Sequence, residues 1–237
     1  MNIVTLEDPV EYAIEGINQS QVKPEIGYTF ASGLRSILRQ DPDIIMVGEI
    51  RDIETAELAI HAALTGHVVL STLHTNDSLG AIPRLIDMKV EPFLLASSLR
   101  VVAAQRLVRK ICPHCKEEEK IGEPTRKEIE KILNRISPEE KKSVDLSKGV
   151  KIYKGKGCSK CGGSGGKGRI GIFEAFYVDD AVVEALGEKV DEEKLRRIAQ
   201  AQGMITMKED GILKVLRGLT TLAEVERVTE EGLAEIE

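Results

Sequence analysis

Ile44-Ile45-Met46-Val47 and Val68-Val69-Leu70-Ser71-Thr72-Leu73 are two short, largely apolar runs. The residues between them have helix ends: Asp52 as N-cap, Glu54 and Glu57 early, Ile53, Ala56, Ile60, Ala63 and Leu64 at apolar spacing, and Gly66 just past the end. Continuous apolar character marks strands buried on both faces, and a crossover of about twenty residues suits parallel pairing and is too long for a hairpin. The segment therefore predicts a βαβ unit. Upstream, Ile3-Val4-Thr5-Leu6 reads as a third parallel strand, and a helix is expected around Thr29–Arg39. Downstream, a helix after Pro92 should carry Phe93, Leu94, Leu95, Leu99 and Val102 on one face.

The whole chain has 237 residues, 42% hydrophobic and 30% charged, enough for a sizeable core. It contains no apolar run close to the roughly 18–20 residues of a membrane span and no basic start followed by an apolar signal region. These features predict a soluble, cytosolic protein. Net charge is −6, yet residues 110–170 carry 16 basic and 9 acidic side chains, leaving the remainder at −13. Such asymmetry suits an anionic partner for the middle segment, or simply keeps it soluble. That segment is bounded by two cysteine pairs and ends in Gly162-Gly163-Ser164-Gly165-Gly166-Lys167-Gly168, which reads as a small insert outside the core. Helices are expected at Asp179–Leu186, Glu192–Ala201 and Met207–Arg217, with a last one opened by the capping box Thr221-Leu222-Ala223-Glu224. The expected domains are 1–109, 110–170 and 171–237.

Each apolar run ends in chemically active residues: Glu7-Asp8-Pro9, then Gly48-Glu49 with Arg51 and Asp52, then His74-Thr75-Asn76-Asp77. Ligands of open parallel sheets bind at the carboxyl ends of strands, so these groups should meet on one rim. Two acids and a histidine there suit a magnesium–phosphate site, the carboxylates holding Mg²⁺ through its waters and the imidazole donating to phosphate oxygens. Taken singly, each acid could equally be a helix cap. The pairs Cys112-Pro113-His114-Cys115 and Cys158-Ser159-Lys160-Cys161, separated by 42 residues, supply four thiolates for a tetrahedral, structural Zn²⁺. Disulfides are not expected in a cytosolic chain.

Thr5-Leu6-Glu7-Asp8-Pro9-Val10-Glu11-Tyr12 resembles the aspartate box of the ATPases of bacterial type II secretion and type IV pilus assembly. Arg39-Gln40-Asp41-Pro42-Asp43 through Gly48-Glu49-Ile50-Arg51-Asp52 resembles their Walker B segment, in which glycine replaces the usual aspartate. Leu64-Thr65-Gly66-His67 through Leu73-His74-Thr75-Asn76-Asp77 resembles their histidine box, and the likeness runs on to Thr220-Thr221-Leu222-Ala223-Glu224-Val225. The resemblance implies a RecA-like parallel-sheet α/β core, a small tetracysteine zinc subdomain (Cys112, Cys115, Cys158, Cys161) and a C-terminal helical region. It also implies Glu7, Glu49 and His74 as catalytic residues, with Glu7 orienting the lytic water, Glu49 acting with Mg²⁺ and His74 sensing the γ-phosphate. Asp8, Arg35, Arg39 and His67 would lie near the nucleotide phosphates, although either arginine could instead pair with Asp41 or Asp43. The implied cofactors are Mg²⁺, ATP and Zn²⁺. The implied partners are five further copies in a homo-hexamer and the inner-membrane platform proteins of the secretion or pilus system; the basic charge of residues 110–170 separately suggests an anionic membrane surface. The implied location is the cytoplasmic side of the inner membrane. The cysteine pairs favour the assembly branch over retraction.

No G-x-x-x-x-G-K-[ST] phosphate cradle is present: Cys161 stands where the first glycine would precede Gly166-Lys167, and Gly168 where the hydroxyl residue would follow. In the resembled family the cradle lies upstream of the aspartate box, so the expectation is a C-terminal portion of a longer ATPase, its sheet incomplete at the amino-terminal side, with negligible turnover alone. The rival expectation is a non-catalytic zinc module contacting nucleic acid or protein. The acidic body and 3% aromatic content count against nucleic acid.

Overall fold

The computed structural model describes residues 1–147, 149–187 and 191–229. In chain order the elements are β1 (Ile3–Glu7), β2 (Asn18–Gln21), α1 (Phe30–Ile37), β3 (Ile44–Val47), α2 (Ile53–Leu64), β4 (Val68–Ser71), α3 (Ala81–Asp87) and α4 (Pro92–Ser98). They continue with β5 (Val101–Ile111), β6 (Lys116–Glu119), α5 (Glu123–Leu133), α6 (Pro138–Lys141), β7 (Ile152–Gly155) and β8 (Gly166–Tyr177). The last four are α7 (Asp180–Leu186), α8 (Glu192–Ala201), α9 (Met207–Leu216) and α10 (Leu222–Thr229). The chain divides into two compact units, Met1–Val102 with Tyr177–Ile198, and Ala103–Phe176 with the described residues from Ala199 onward.

The first unit holds a four-stranded sheet in the order β2-β1-β3-β4, every neighbouring pair parallel. The three strands expected from apolar runs are all there. Val4 and Leu6 pair in register with Ile45 and Val47, and because alternate side chains point to opposite faces, these four lie on one face. They are packed there with Phe30, Leu34, Ile37, Ala59 and Ala62 of α1 and α2. Asp52 caps α2 as expected, its Oδ1 accepting from the Thr55 N–H at 2.8 Å. On the other face Thr5, Met46 and Leu70 share a row, and Met46, Val68 and Leu70 remain 37%, 52% and 56% exposed. β2 was not foreseen, because Asn18-Gln19-Ser20-Gln21 has no apolar pattern; as an edge strand it is held by backbone pairing to β1 rather than by burial. The helix after Pro92 is shorter than expected: α4 ends at Ser98, Leu99 has extended dihedrals, and Val102 belongs to β5. Leu95 alone of its face is fully covered, while Phe93 is 65% exposed.

In the second unit β5 pairs with β8 and β6 runs antiparallel to β7. The stretch expected to be an insert outside the core instead supplies Ile129, Ile132, Leu133, Ile136, Val150 and Ile152 to an apolar cluster with Ile212, Leu213, Val215 and Leu216 of α9 and Val225 of α10. The reason is the amphipathic spacing of α5, which its Glu and Lys content masks. The glycine run forms a close backbone crossing: a Cβ on Gly155 would lie 2.0 Å from the Gly165 carbonyl oxygen. The predicted capping box of the last helix is half formed. Thr221 Oγ1 accepts from the Glu224 N–H at 3.3 Å, but the Glu224 carboxylate accepts from the Arg109 N–H and from Arg227, each at 2.9 Å. That diversion ties α10 to β5, beside a buried Thr220 whose hydroxyl donates to the Arg109 carbonyl at 2.7 Å. Residues 230–237 of the expected 171–237 region lie outside the described residues. Among the described residues, no helix is long and apolar enough to cross a membrane.

Candidate functional site at the carboxyl ends of the parallel strands

Parallel pairing brings the ends of β1, β3 and β4 side by side, and short bonds lace them together. The Gly48 N–H donates to Leu6 O at 2.7 Å and the Ile50 N–H to Thr72 O at 3.0 Å, while the Thr72 hydroxyl donates to Gly48 O at 2.7 Å. Gly48 explains itself here. A Cβ at that position would stand 2.9 Å from the Leu6 carbonyl oxygen, so a side chain would push the strand ends apart.

Glu49 follows directly and is 9% exposed. Its two carboxylate oxygens have different partners: Arg51 Nη2 lies 2.5 Å from Oε1 and His74 Nε2 lies 2.7 Å from Oε2. The Arg51 guanidinium holds the Glu49 carboxyl below the usual carboxylate range, burial opposes this, and the His74 bond adds to it. In return Glu49 raises the Arg51 pKa. The other end of the guanidinium, Nη1, is 3.8 Å from Asp8 Oδ2. Asp8, Glu49, Arg51 and His74 thus form one connected group drawn from three strand ends. His74 is 79% exposed on its side chain, so the group opens to solvent on that side. Glu7 stands on the same rim at the end of β1, its Oε1 accepting from Thr5 Oγ1 at 2.5 Å and from Gln19 Nε2 at 2.9 Å.

The remaining residues singled out from sequence lie elsewhere. Arg35 pairs with Glu54 across α1 and α2, not with Asp41 or Asp43. Arg39 donates from Nη1 to Arg35 O at 2.9 Å and is exposed. His67 precedes β4, at the opposite end of that strand from His74, and its Nδ1 lies 2.9 Å from Ala62 O and 3.2 Å from Thr65 Oγ1. Sequence reasoning gave no role to Thr5, Gln19 or Arg51. For Arg51 the signal was its place two residues after Glu49; for Gln19 there was none, since β2 itself was not legible.

In the second unit Cys112, Cys115, Cys158 and Cys161 bring their sulfurs within 4.8 Å of one another, and none is in a disulfide. Three of the separations are 4.0 Å (Cys112–Cys158), 3.9 Å (Cys115–Cys161) and 3.8 Å (Cys158–Cys161). A tetrahedral ion with metal–sulfur bonds of about 2.3 Å requires sulfur–sulfur edges of about 3.8 Å, so the set is spaced for such a metal. The Cys158 N–H donates to Cys161 Sγ at 3.2 Å and draws that thiol down to about 6, whereas burial pushes Cys115 up to about 12. His114 is exposed and outside the group.

The model of the family described as type II/IV secretion system protein matches residues 1–227. Among curated relatives, the chain is 51% identical over 224 residues to the type IV pilus assembly ATPase PilB of Thermus thermophilus, covering 94% of this chain and 24% of that one. It is 48% identical over 231 residues to the type II secretion system ATPase E of Vibrio cholerae, covering 98% and 43%. The chain therefore spans less than half the length of these relatives. Among solved structures, the pilus retraction motor PilT with bound ADP superposes with a TM-score of 0.63 at 28% identity, over 96% of this chain and 52% of that one. The ATPase DotB of Legionella pneumophila superposes equally well (0.63) at 22% identity, over 97% and 51%, which shows a shared fold. With the match running from the first strand through α10, the chain belongs to the type II/IV secretion system protein family.

Proposed function

We propose that this chain forms the catalytic rim and metal-clasped unit of a motor ATPase that drives pilin or pseudopilin assembly. The observation that carries the reading is the joining of Glu49, His74, Arg51 and Asp8 at the carboxyl ends of three parallel strands, where α/β folds bind ligands. The names of the relatives, a pilus assembly ATPase and a type II secretion ATPase, favour the same chemistry.

The donor set fits magnesium–nucleotide. Glu7, Asp8 and Glu49 offer hard carboxylate oxygens to Mg²⁺ waters, and Arg51 and His74 offer N–H donors to phosphate oxygens. When bound, Mg²⁺ neutralises charge growing on the transferred phosphoryl group. Glu7 would orient the attacking water, and Glu49 would help hold the ion. His74, released from Glu49, reports the γ-phosphate by donating to it. Arg35, Arg39 and His67 lie away from this group, so a role on the nucleotide places them across a subunit boundary of a homo-hexamer. The cysteine set holds Zn²⁺ in a purely structural role, because four thiolates leave no position for water. The basic 110–170 segment faces an anionic membrane surface or a platform protein of the inner membrane, from the cytoplasmic side.

Without a phosphate-cradling loop in its sequence, the 237-residue chain alone should hydrolyse ATP negligibly. The test is turnover by a full-length relative in which this chain replaces the matching segment, with and without Glu49→Gln. The exchange should lower kcat at least a hundredfold; turnover unchanged by it would end the reading.

A further inference from the structure

We propose that Gln19 and Thr5 are positioning residues for Glu7, spending one carboxylate oxygen so that the other is presented to the attacking water. The inference rests on the functional reading above and adds residues to it. Thr5 and Gln19 stand opposite each other in the β1–β2 register, and both donate to Oε1 of Glu7. Among the described residues nothing donates to Oε2. A carboxylate at the end of a strand has a side chain with three free torsions. Two donors from two different strands onto a single oxygen fix its plane.

The Gln19 amide is itself locked. Its Nε2 also donates to Tyr12 O at 3.0 Å, and its Oε1 accepts from the Ile14 N–H at 2.7 Å. The orientation of the amide is forced by these partners: a backbone N–H requires the oxygen on one side, and a carboxylate and a carbonyl require the nitrogen on the other. Gln19 therefore couples the loop between β1 and β2 to the orientation of Glu7. This gives an otherwise unexplained polar edge strand a task. β2 carries no core residue, yet it delivers the Gln19 amide to Glu7.

The test uses the full-length relative carrying this chain in place of its matching segment, with Gln19→Met, which keeps length and removes the donor, Thr5→Val, which keeps shape and removes the hydroxyl, and Thr5→Ser, which restores it. The expected result is a fall in kcat of about tenfold or more for Gln19→Met and Thr5→Val, with KM for ATP within about twofold and with Thr5→Ser within about threefold of the parent. A binding measurement independent of turnover accompanies it: affinity for ADP with aluminium fluoride, a mimic of the transferring phosphoryl group, should drop about tenfold while affinity for ADP alone holds. If Glu7→Gln abolishes turnover while Gln19→Met and Thr5→Val leave it unchanged, the positioning role is wrong and the functional reading stands. If Thr5→Ser is as impaired as Thr5→Val, or activity losses follow losses in Tm, the two residues are merely structural. If Glu7→Gln itself turns over normally, the role of Glu7 and this inference fall, while Glu49→Gln decides the ATPase reading separately.

Discussion

Stripping the metal from the four-cysteine cluster should melt the second unit selectively. The two pairs clamp a loop of 42 residues between Cys115 and Cys158. Chain-entropy reasoning puts the closure of such a loop at about 4 kcal/mol. That loop contains α5 and β7, which supply Ile129, Ile132, Leu133 and Ile152 to the unit's apolar cluster, so its release loosens the packing of α9 as well. In a unit of roughly 100 residues each kcal/mol moves Tm by about 4–8 °C, giving about 15–30 °C at most. Cross-links commonly deliver less than the chain model promises, so a fall of at least about 10 °C is the expectation. The assay is thermal unfolding of reduced protein with zinc and after exhaustive chelation, alongside Co²⁺ titration to determine stoichiometry, expected at one ion per chain with a tetrahedral thiolate spectrum. Cys158→Ser should reproduce most of the effect of chelation. The metal displaces the Cys115 proton, so affinity weakens as pH falls, more steeply below about 6, where Cys161 is protonated as well. The reasoning is refuted if purified protein retains no metal and its melting is indifferent to zinc, or if all four thiols react with a disulfide reagent equally fast in the presence and absence of zinc.

The Glu49 carboxyl has its pKa lowered on folding, so its stabilising contribution is complete above about pH 4.5 and disappears as pH falls through the lower native value. Arg51→Ala should remove a small part of that contribution, because the guanidinium is 60% exposed and screened; urea denaturation should show a larger difference from the parent at pH 7 than at pH 3. Gly211→Ala places a Cβ 2.5 Å from Val225 Cγ1 between α9 and α10 and should destabilise by about 1–3 kcal/mol despite the better helix propensity of alanine; an increase in Tm would contradict this. Leu70→Lys, on the open face of the parallel sheet, should leave Tm within a few degrees and reduce self-association of the isolated chain in sedimentation velocity, whereas a large loss of Tm would mean that this face is covered in solution.

How much of this was legible in the sequence follows from which force holds each part. β1, β3 and β4 and the two helices packed on them announce themselves because burial on a sheet face demands Val4, Leu6, Ile45 and Val47 in register, and burial leaves a pattern. The edge strand β2 is held by backbone bonds alone and leaves none. β5 and β8 escaped because each is apolar on one face only and interrupted by Arg106, Arg109, Lys167 and Arg169, so in single sequence they read as a solvated basic stretch. The carboxylates and His74 were legible as chemistry at strand ends, and the structure explains why they meet: parallel strands in register end side by side. The side chains that orient those groups were not legible. Thr5, Gln19 and Arg51 are ordinary polar residues whose meaning depends on a partner up to 43 positions away in the chain, and only the sheet register supplies it.

The same contrast separates the cysteine cluster from the carboxylate rim. Four cysteines in two short-spaced pairs identify themselves in sequence because thiolates are rare, and each C-x-x-C turn brings its own two sulfurs together before the fold forms. A carboxylate rim has no such local mark, since acids are common on any surface and each is more often a cap than a ligand. What distinguishes Glu49 from the other acids of the rim is that it is 9% exposed with both oxygens engaged, directly after a glycine that lets the strand end lie close to its neighbour. That burial is itself costly without partners, and Arg51 and His74 stabilise the carboxylate. Under the proposed function, exchange of His74 from Glu49 to phosphate would be the step at which this rim registers the nucleotide, and Glu49→Gln, which weakens the hold on both partners, should then separate binding from turnover.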